Sequence, residues 1–382
     1  MKTHIHRTIE PRIEAGLFKG KIIVIYGARQ VGKTTLLKEL EDKRRDETLY
    51  LNCDEPDTRE KLANQTSTAL RELFRNRRLI LIDEAQRVRN IGLTLKLIAD
   101  NVPGVQVVAT GSSSFALSND VSEPLTGRKM EMRLHPFTLA ELATVLSREE
   151  LERRMEQFLT TGLYPEAFFA DTLGAPQVIT ELAEGYLYKD ALEYQQIKKP
   201  DALRKLLQAL ALQIGSEVSY TELGALLGID KATLERYVDL LEKAFVIFKL
   251  PPLSRNLRKE IGKMRKIYFY DVGIRNSLIR NFNGPGLRTD IGALWENFLI
   301  AERMKHYEHT GALVNTFFWR TYDQQEVDFV EEAGGTLRGF EIKWKKGAHK
   351  LPRLFTDTYP QSTVQVITRE TALAFASAGE LK

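Results

Sequence analysis

A single cysteine, Cys53, stands in 382 residues, so the chain cannot form an internal disulfide. No basic, apolar, small-residue leader opens it either, and the expected setting is a reducing cytoplasm. Long hydrophobic runs are missing as well. The densest, Ile22 to Ile25 and Leu79 to Ile82, fall far short of the roughly 18 residues a membrane span needs and read as buried strands. Charge of one sign is scarce: 55 Lys and Arg against 51 Asp and Glu leave +4. Global charge therefore demands no nucleic-acid partner, and any basic surface must be local. Internal repeats are absent. With 43% hydrophobic and 28% charged residues the chain has the composition of a soluble globular protein, which excludes disordered, collagen-like and low-complexity classes.

At roughly 100 to 200 residues per domain this length holds two to three domains. Residues 1–140 alternate apolar runs (Lys21 to Tyr26, Thr48 to Asn52, Arg78 to Ile82, Val105 to Ala109, Lys129 to Leu134) with helix-period segments, the pattern of a parallel sheet wrapped by helices. Residues 141–200 turn helical and read as a lid, ending at the break Lys198, Lys199, Pro200. Residues 201–283 read as three helices and a strand pair. Gly284, Pro285 and Gly286 then open a last block, 284–382, of a helix, three strands and mixed structure.

The run Gly27, Ala28, Arg29, Gln30, Val31, Gly32, Lys33, Thr34 matches G-x-x-x-x-G-K-[ST] in full, between an apolar strand and a helix carrying Leu36, Leu37 and Leu40. Thr35 follows directly. Glycine lets backbone amides turn toward phosphates, the helix N-terminus adds partial positive charge, Lys33 reaches the β and γ phosphates, and the Thr34 hydroxyl completes a Mg²⁺ shell. ATP and Mg²⁺ are the implied cofactors. A buried strand, Leu79 to Ile82, ends in Asp83 and Glu84, placed to hold Mg²⁺ and to polarise the attacking water. The plainer reading has them cap the next helix. The strand at Val105 to Ala109 ends in Thr110, Gly111, Ser112, where a polar residue can sense the γ-phosphate or simply form a turn.

These residues resemble the AAA-type ATPases of the additional-strand P-loop class. The resemblance implies ATP hydrolysis with Glu84 as base and an arginine supplied by a neighbouring subunit, hence a homo-oligomer. Arg128, in Leu125, Thr126, Gly127, Arg128, is the first choice for that arginine and Arg29 the rival. A surface ion pair is the alternative for Arg128.

In the middle block the spacing of Ser219, Glu222 and Gly228 is that of a helix-turn-helix, and Phe245 to Leu250 with Lys266 to Tyr270 supply a two-stranded wing, so the block reads as a winged helix. The would-be recognition helix sets Lys231, Arg236 and Lys243 against Glu235, Asp239 and Glu242, with no net charge to draw in phosphates. The wing, residues 254–266, carries Arg255, Arg258, Lys259, Lys263, Arg265 and Lys266 against Glu260 alone, and is the expected DNA contact or else a solvated loop.

In the last block Glu341 and Lys343 share one strand face, and hairpin pairing can bring Asp328 beside them. Carboxylates and a lysine so placed can hold Mg²⁺ and activate water against a phosphodiester, or they can form cross-strand ion pairs. With Glu296 on the preceding helix the set resembles the PD-(D/E)XK nuclease fold. Over nearly its whole length the chain is similar to a prokaryotic ATPase family with a P-loop AAA domain, a winged helix and a nuclease-like C-terminal domain; Asp83 to Gln86, Thr110 to Ser113, Gly162 with Pro165 and Glu166, and Tyr268 to Gly273 also match. Thr161 departs from it, where a glycine is expected in a loop. The resemblance implies an α/β chain: a P-loop AAA-type parallel sheet with a helical lid, then a winged helix, then an α/β restriction-endonuclease-like domain. Its function would be ATP hydrolysis coupled to DNA binding and cleavage, or alternatively a nucleotide-driven switch that binds a protein partner and cuts nothing.

Overall fold

The computed structural model describes residues 4–111, 125–195, 200–253, 265–321, 325–345, 347 and 352–378, with 186–195 described by their backbone alone. Ser112, Ser113, Lys198, Lys199 and wing residues 254–264 lie outside the described residues. The chain divides into two compact units, His6–Pro136 with Lys243–Phe245, and Met1–Ile5 with Phe137–Glu242 and Val246–Lys382.

The first unit is built on five parallel strands, β1 Ile22–Tyr26, β2 Thr48–Asn52, β3 Leu79–Asp83, β4 Gln106–Gly111 and β5 Lys129–Arg133, in the order β2-β3-β4-β1-β5. β1, β3 and β4 are buried along their whole length, as expected of strands covered on both faces. Helices α1 Glu10–Gly16, α2 Lys33–Lys43, α3 Pro56–Leu62, α4 Ser67–Phe74 and α5 Ile91–Asn101 accompany the sheet. The position of β4 matters most. It lies between β1 and β3, pairing Ile25 with Thr110 on one side and Ile82 with Ala109 on the other. Since parallel strands all end on one side, the P-loop after β1, Asp83 and Thr110 come together there.

The second unit opens with α6 Leu139–Leu142 and α7 Arg148–Thr161, both begun by capping boxes, Thr138 with Glu141 and Ser147 with Glu150. Next come α8 Pro165–Phe169, α9 Ala175–Gln195, α10 Pro200–Leu212, α11 Tyr220–Leu227 and α12 Lys231–Lys243. Strands β6 Glu217–Val218, β7 Ile247–Leu250 and β8 Arg265–Phe269 form an antiparallel sheet in the order β6-β8-β7. β6 adds a third strand to the expected pair, and at two residues it is too short to show a period in the sequence. After α13 Val272–Leu278 and α14 Ile291–Thr310, strands β9 Asn315–Arg320, β10 Glu326–Ala333, β11 Thr336–Ile342 and β12 Thr363–Ile367 form a four-stranded sheet in the order β12-β11-β10-β9, accompanied by α15 Arg353–Thr358 and α16 Ala372–Ala376. No helix among the described residues is long and apolar enough to cross a membrane.

Two matched segments meet inside this unit. The Asp271 carboxylate accepts from the amides of Leu163, Gly273 and Ile274 at 2.7, 2.8 and 3.2 Å. Gly162 has φ +72°, and a Cβ there would lie 2.0 Å from Asp271 Oδ1; one on Gly273 would lie 2.2 Å from the Thr161 carbonyl oxygen. Thr161 is the last residue of α7, not a loop residue, and its part in this contact is a carbonyl that every residue has.

Candidate functional site

β1 delivers the chain into a loop held close by its surroundings: a Cβ on Gly27 would lie 2.4 Å from the Leu134 carbonyl oxygen. Gly32 has φ +102° and is the N-cap of α2, which receives no side-chain cap. The dipole of α2 adds partial positive charge at this end, which favours an anion there. Lys33 is buried and donates to the carbonyls of Gly27 and Ala28 at 3.0 and 2.7 Å, which lays its ammonium along the loop. Thr34 and Thr35 are exposed at the start of the helix.

Asp83, at the end of β3, is 2% exposed and so must be satisfied by protein groups. Three hydroxyls donate to it: Thr34 and Tyr50 to Oδ2 at 2.7 and 2.8 Å, and Thr110 to Oδ1 at 2.5 Å. Burial and the neighbouring Asp83 push the Tyr50 hydroxyl pKa above its usual range, so it remains a donor. Glu84 is left-handed with φ 52°, uncommon outside glycine. Its amide donates to Thr110 Oγ at 3.2 Å and its Oε2 accepts from Gln86 at 2.5 Å. The single hydroxyl of Thr110 therefore links both acidic residues. Tyr50 escaped the sequence reading; its one signal is a phenol inside a strand that pairs directly with β3. Arg128 pairs with Asp100 at 2.6 Å, and both side chains are more than a third exposed. Within one chain, then, Arg128 stands in a surface ion pair.

Residues 19–143 match the family model of an AAA domain. Residues 152–284 and 291–378 match two domains of unknown function, DUF8612 and DUF4143. An uncharacterized protein of Mycobacterium tuberculosis is 28% identical over 347 residues, covering 88% of this chain and 73% of its own. Another, from Methanocaldococcus jannaschii, is 29% identical over 68% of this chain and 63% of its own. Among solved structures, the Walker-type ATPase of Pyrococcus abyssi is similar over 72% of this chain and 94% of its own, at 19% identity and a TM-score of 0.47. On the family match alone, residues 19–143 form an AAA-type P-loop domain.

Mg²⁺ takes oxygen ligands, keeps several waters and uses one or two protein groups beside phosphates. Thr34 and Asp83 fit that need, because their oxygens already meet at 2.7 Å next to the P-loop. Among the described residues no three His, Cys, Asp or Glu side chains converge as a closed metal cage.

Beyond the AAA-type domain, the second unit gathers another set of charges. Register places Asp328 of β10 opposite Glu341 of β11, one residue beyond the Phe329–Phe340 pair. Lys343, just past β11, lies 2.6 Å from Glu341 Oε2 and 3.2 Å from Asp328 Oδ2, and Asp328 also accepts from the Ile342 amide at 2.8 Å. Glu296 of α14 accepts from Tyr268 at 2.6 Å and from Lys266 at 3.1 Å. Burial first, opposed by Lys266 and assisted by Asp328, raises the Glu296 pKa to about 7. Burial and Asp328, against Lys343, likewise raise Glu341 to about 7. All four sequence-selected residues thus belong to one electrostatic neighbourhood. Lys266 corrects an expectation. Counted with the basic wing, it is 1% exposed and paired with Glu296 and Glu326, so no nucleic-acid phosphate can reach it. An ammonium among apolar strand residues reads as wing charge until its tertiary partners are known.

Proposed function

We propose that this chain is a Mg²⁺-dependent ATP phosphohydrolase whose AAA-type domain drives a nucleic-acid-binding second unit. The observation that carries the reading is the convergence on Asp83 of the Thr34 and Thr110 hydroxyls, beside Glu84 and the Lys33-bearing loop. In this reading Gly27 to Thr35 cradle the phosphates, Lys33 offsets charge on the β and γ groups, Thr34 and Asp83 hold Mg²⁺, and Glu84 accepts the proton of the attacking water. Bound Mg²⁺ would supply charge neutralisation at the phosphates. Thr110, anchored to both acids, would report the γ-phosphate to β4. Arg128 would leave its Asp100 partner to complete a neighbouring subunit's site, which makes the working form a homo-oligomer.

The same reading divides the chain into an ATPase core (1–140), a helical lid (141–200), a winged helix (201–283) and a nuclease-like domain (284–382). DNA would meet the basic residues of 254–265. Asp328 and Glu341 would give Mg²⁺ two carboxylate ligands, with Lys343 beside the scissile phosphate and Glu296 alongside. Burial, with the Asp328 carboxylate adding to it, raises the pKa values of Glu296 and Glu341 despite Lys266 and Lys343, which supports a site short of positive charge. The alternative is a nucleotide switch that grips a protein partner and cuts nothing.

The first test separates binding from hydrolysis in the full-length protein. Lys33→Ala is expected to weaken ATP binding, whereas Glu84→Gln should keep ATP bound and leave it intact. Equal turnover by Glu84→Gln and wild type would remove Glu84 as the base. DNA affinity that falls as salt rises would favour the nucleic-acid reading over the protein-partner switch.

A further inference from the structure

Arg7 lies twenty residues before the P-loop and belongs to no motif of the nucleotide site. Yet its side chain is buried, 5% exposed. Its Nη1 donates to the carbonyl of Val31 at 2.7 Å and its Nη2 to the carbonyl of His135 at 2.6 Å. The backbone that carries it is itself fixed: the Arg7 amide donates to Glu10 Oε1 at 2.9 Å, and Glu10 is held by Lys43 from the end of α2 at 2.8 Å.

Val31 and Gly32 are the two residues before Lys33, and the peptide between them is a rigid plane. Its C=O and N–H point in opposite directions, so whatever fixes the Val31 carbonyl also aims the Gly32 amide. That plane would otherwise turn easily, because Gly32 sits at φ +102° and has no Cβ to hinder rotation. The guanidinium stands on the very side where a Cβ would be, with Nη1 3.3 Å from that position. The second hydrogen bond ties the same guanidinium to the segment after β5, one residue from the Leu134 carbonyl that packs against Gly27. Both glycines of the P-loop are thereby braced against residues 134 and 135.

We infer that Arg7 is a positioning residue for nucleotide: through the Val31 carbonyl it holds the Gly32 amide in the orientation that a phosphate needs. This rests on the ATP-binding reading above. A planar fork with two separated donors is required, since a lysine ammonium can satisfy one carbonyl well but cannot span both in fixed geometry. The cost of a missing anchor would fall on preorganisation, because the loop would have to be ordered by the ligand itself.

The test is equilibrium ATP and ADP binding, with and without Mg²⁺, by the full-length wild type, Arg7→Lys, Arg7→Met and Lys33→Ala, together with steady-state hydrolysis and urea unfolding of each. Arg7→Met should bind nucleotide at least tenfold more weakly and raise KM more than it lowers kcat, and Arg7→Lys should fall between it and wild type. That ordering in affinity is a signature that loss of stability alone would not produce in the folded fraction. If Arg7→Met fails to fold, Arg7→Lys decides, and a loss of threefold or more is required. Affinity equal to wild type in the folded Arg7 variants would overturn the inference while leaving the ATP reading standing. Failure of wild type itself to bind more tightly than Lys33→Ala would overturn both.

Discussion

Replacing Thr110 with valine keeps the shape of the side chain and deletes one hydroxyl. That hydroxyl donates to Asp83 Oδ1 at 2.5 Å and accepts from the Glu84 amide at 3.2 Å, and Thr110 is 0% exposed. No water can replace it without new space. A hydrogen bond to a charged group is worth about 1.5 to 3 kcal/mol, and a buried acceptor left unmet costs about as much. Because Asp83 keeps the Thr34 and Tyr50 hydroxyls on its other oxygen, about 2 kcal/mol is the expected loss. In a unit of this size that corresponds to a fall in Tm of roughly 6 °C. Hydrolysis should fall about tenfold or more, because Glu84 loses the anchor of its left-handed backbone. ATP affinity should change little, since Lys33 and the P-loop are untouched. Thr110→Ser should recover both stability and turnover. Urea unfolding, ATP binding and phosphate release measured on the three proteins make the assay. Wild-type stability in Thr110→Val would refute the buried hydrogen-bond argument, and lost stability with intact turnover would make the hydroxyl purely structural.

Arg128→Ala removes only an exposed pair, so stability should change by less than about 0.5 kcal/mol; if the residue acts in trans, hydrolysis should collapse while ATP binding persists, and mixing with Lys33→Ala should restore turnover. No rescue, with a monomer at every ATP concentration, would place Arg128 outside any shared site. Asp290 opposes the cost of its own burial with hydrogen bonds from Arg288 and Arg275, which hold its pKa at about 2. Because its folded value lies below the ordinary 3.8, it contributes stability above pH 4 that is lost as pH falls toward 2, about 2 kcal/mol in all. Asp290→Asn should therefore flatten the acid limb of the urea-midpoint profile, and an unchanged limb would contradict that assignment. Glu341→Ala should abolish any Mg²⁺- or Mn²⁺-dependent strand cleavage and spare ATP hydrolysis; no cleavage by wild type of linear, nicked, branched or single-stranded DNA would retire the nuclease and favour the switch.

The P-loop and the two acids beside it were legible because their pattern is local. The spacing of Gly27, Gly32, Lys33 and Thr34 is a backbone requirement written in consecutive residues, and Asp83 and Glu84 follow directly from a buried apolar run. Strand period also put Glu341 and Lys343 on one face, and hairpin pairing could add Asp328. What the sequence could not determine was who stands beside whom across long separations. β4 inserts between β1 and β3, which gives Thr110 its contact with Asp83; Tyr50 reaches the same carboxylate from β2; Arg7 reaches Val31 and His135. Each of these is a polar side chain in an apolar or unremarkable stretch, whose role depends on a partner dozens of residues away. Lys266 shows the limit most plainly. In sequence it continues a basic run, and only the closing of β8 against Glu296 and Glu326 turns that charge inward, because a buried ammonium needs carboxylate partners that only packing can bring.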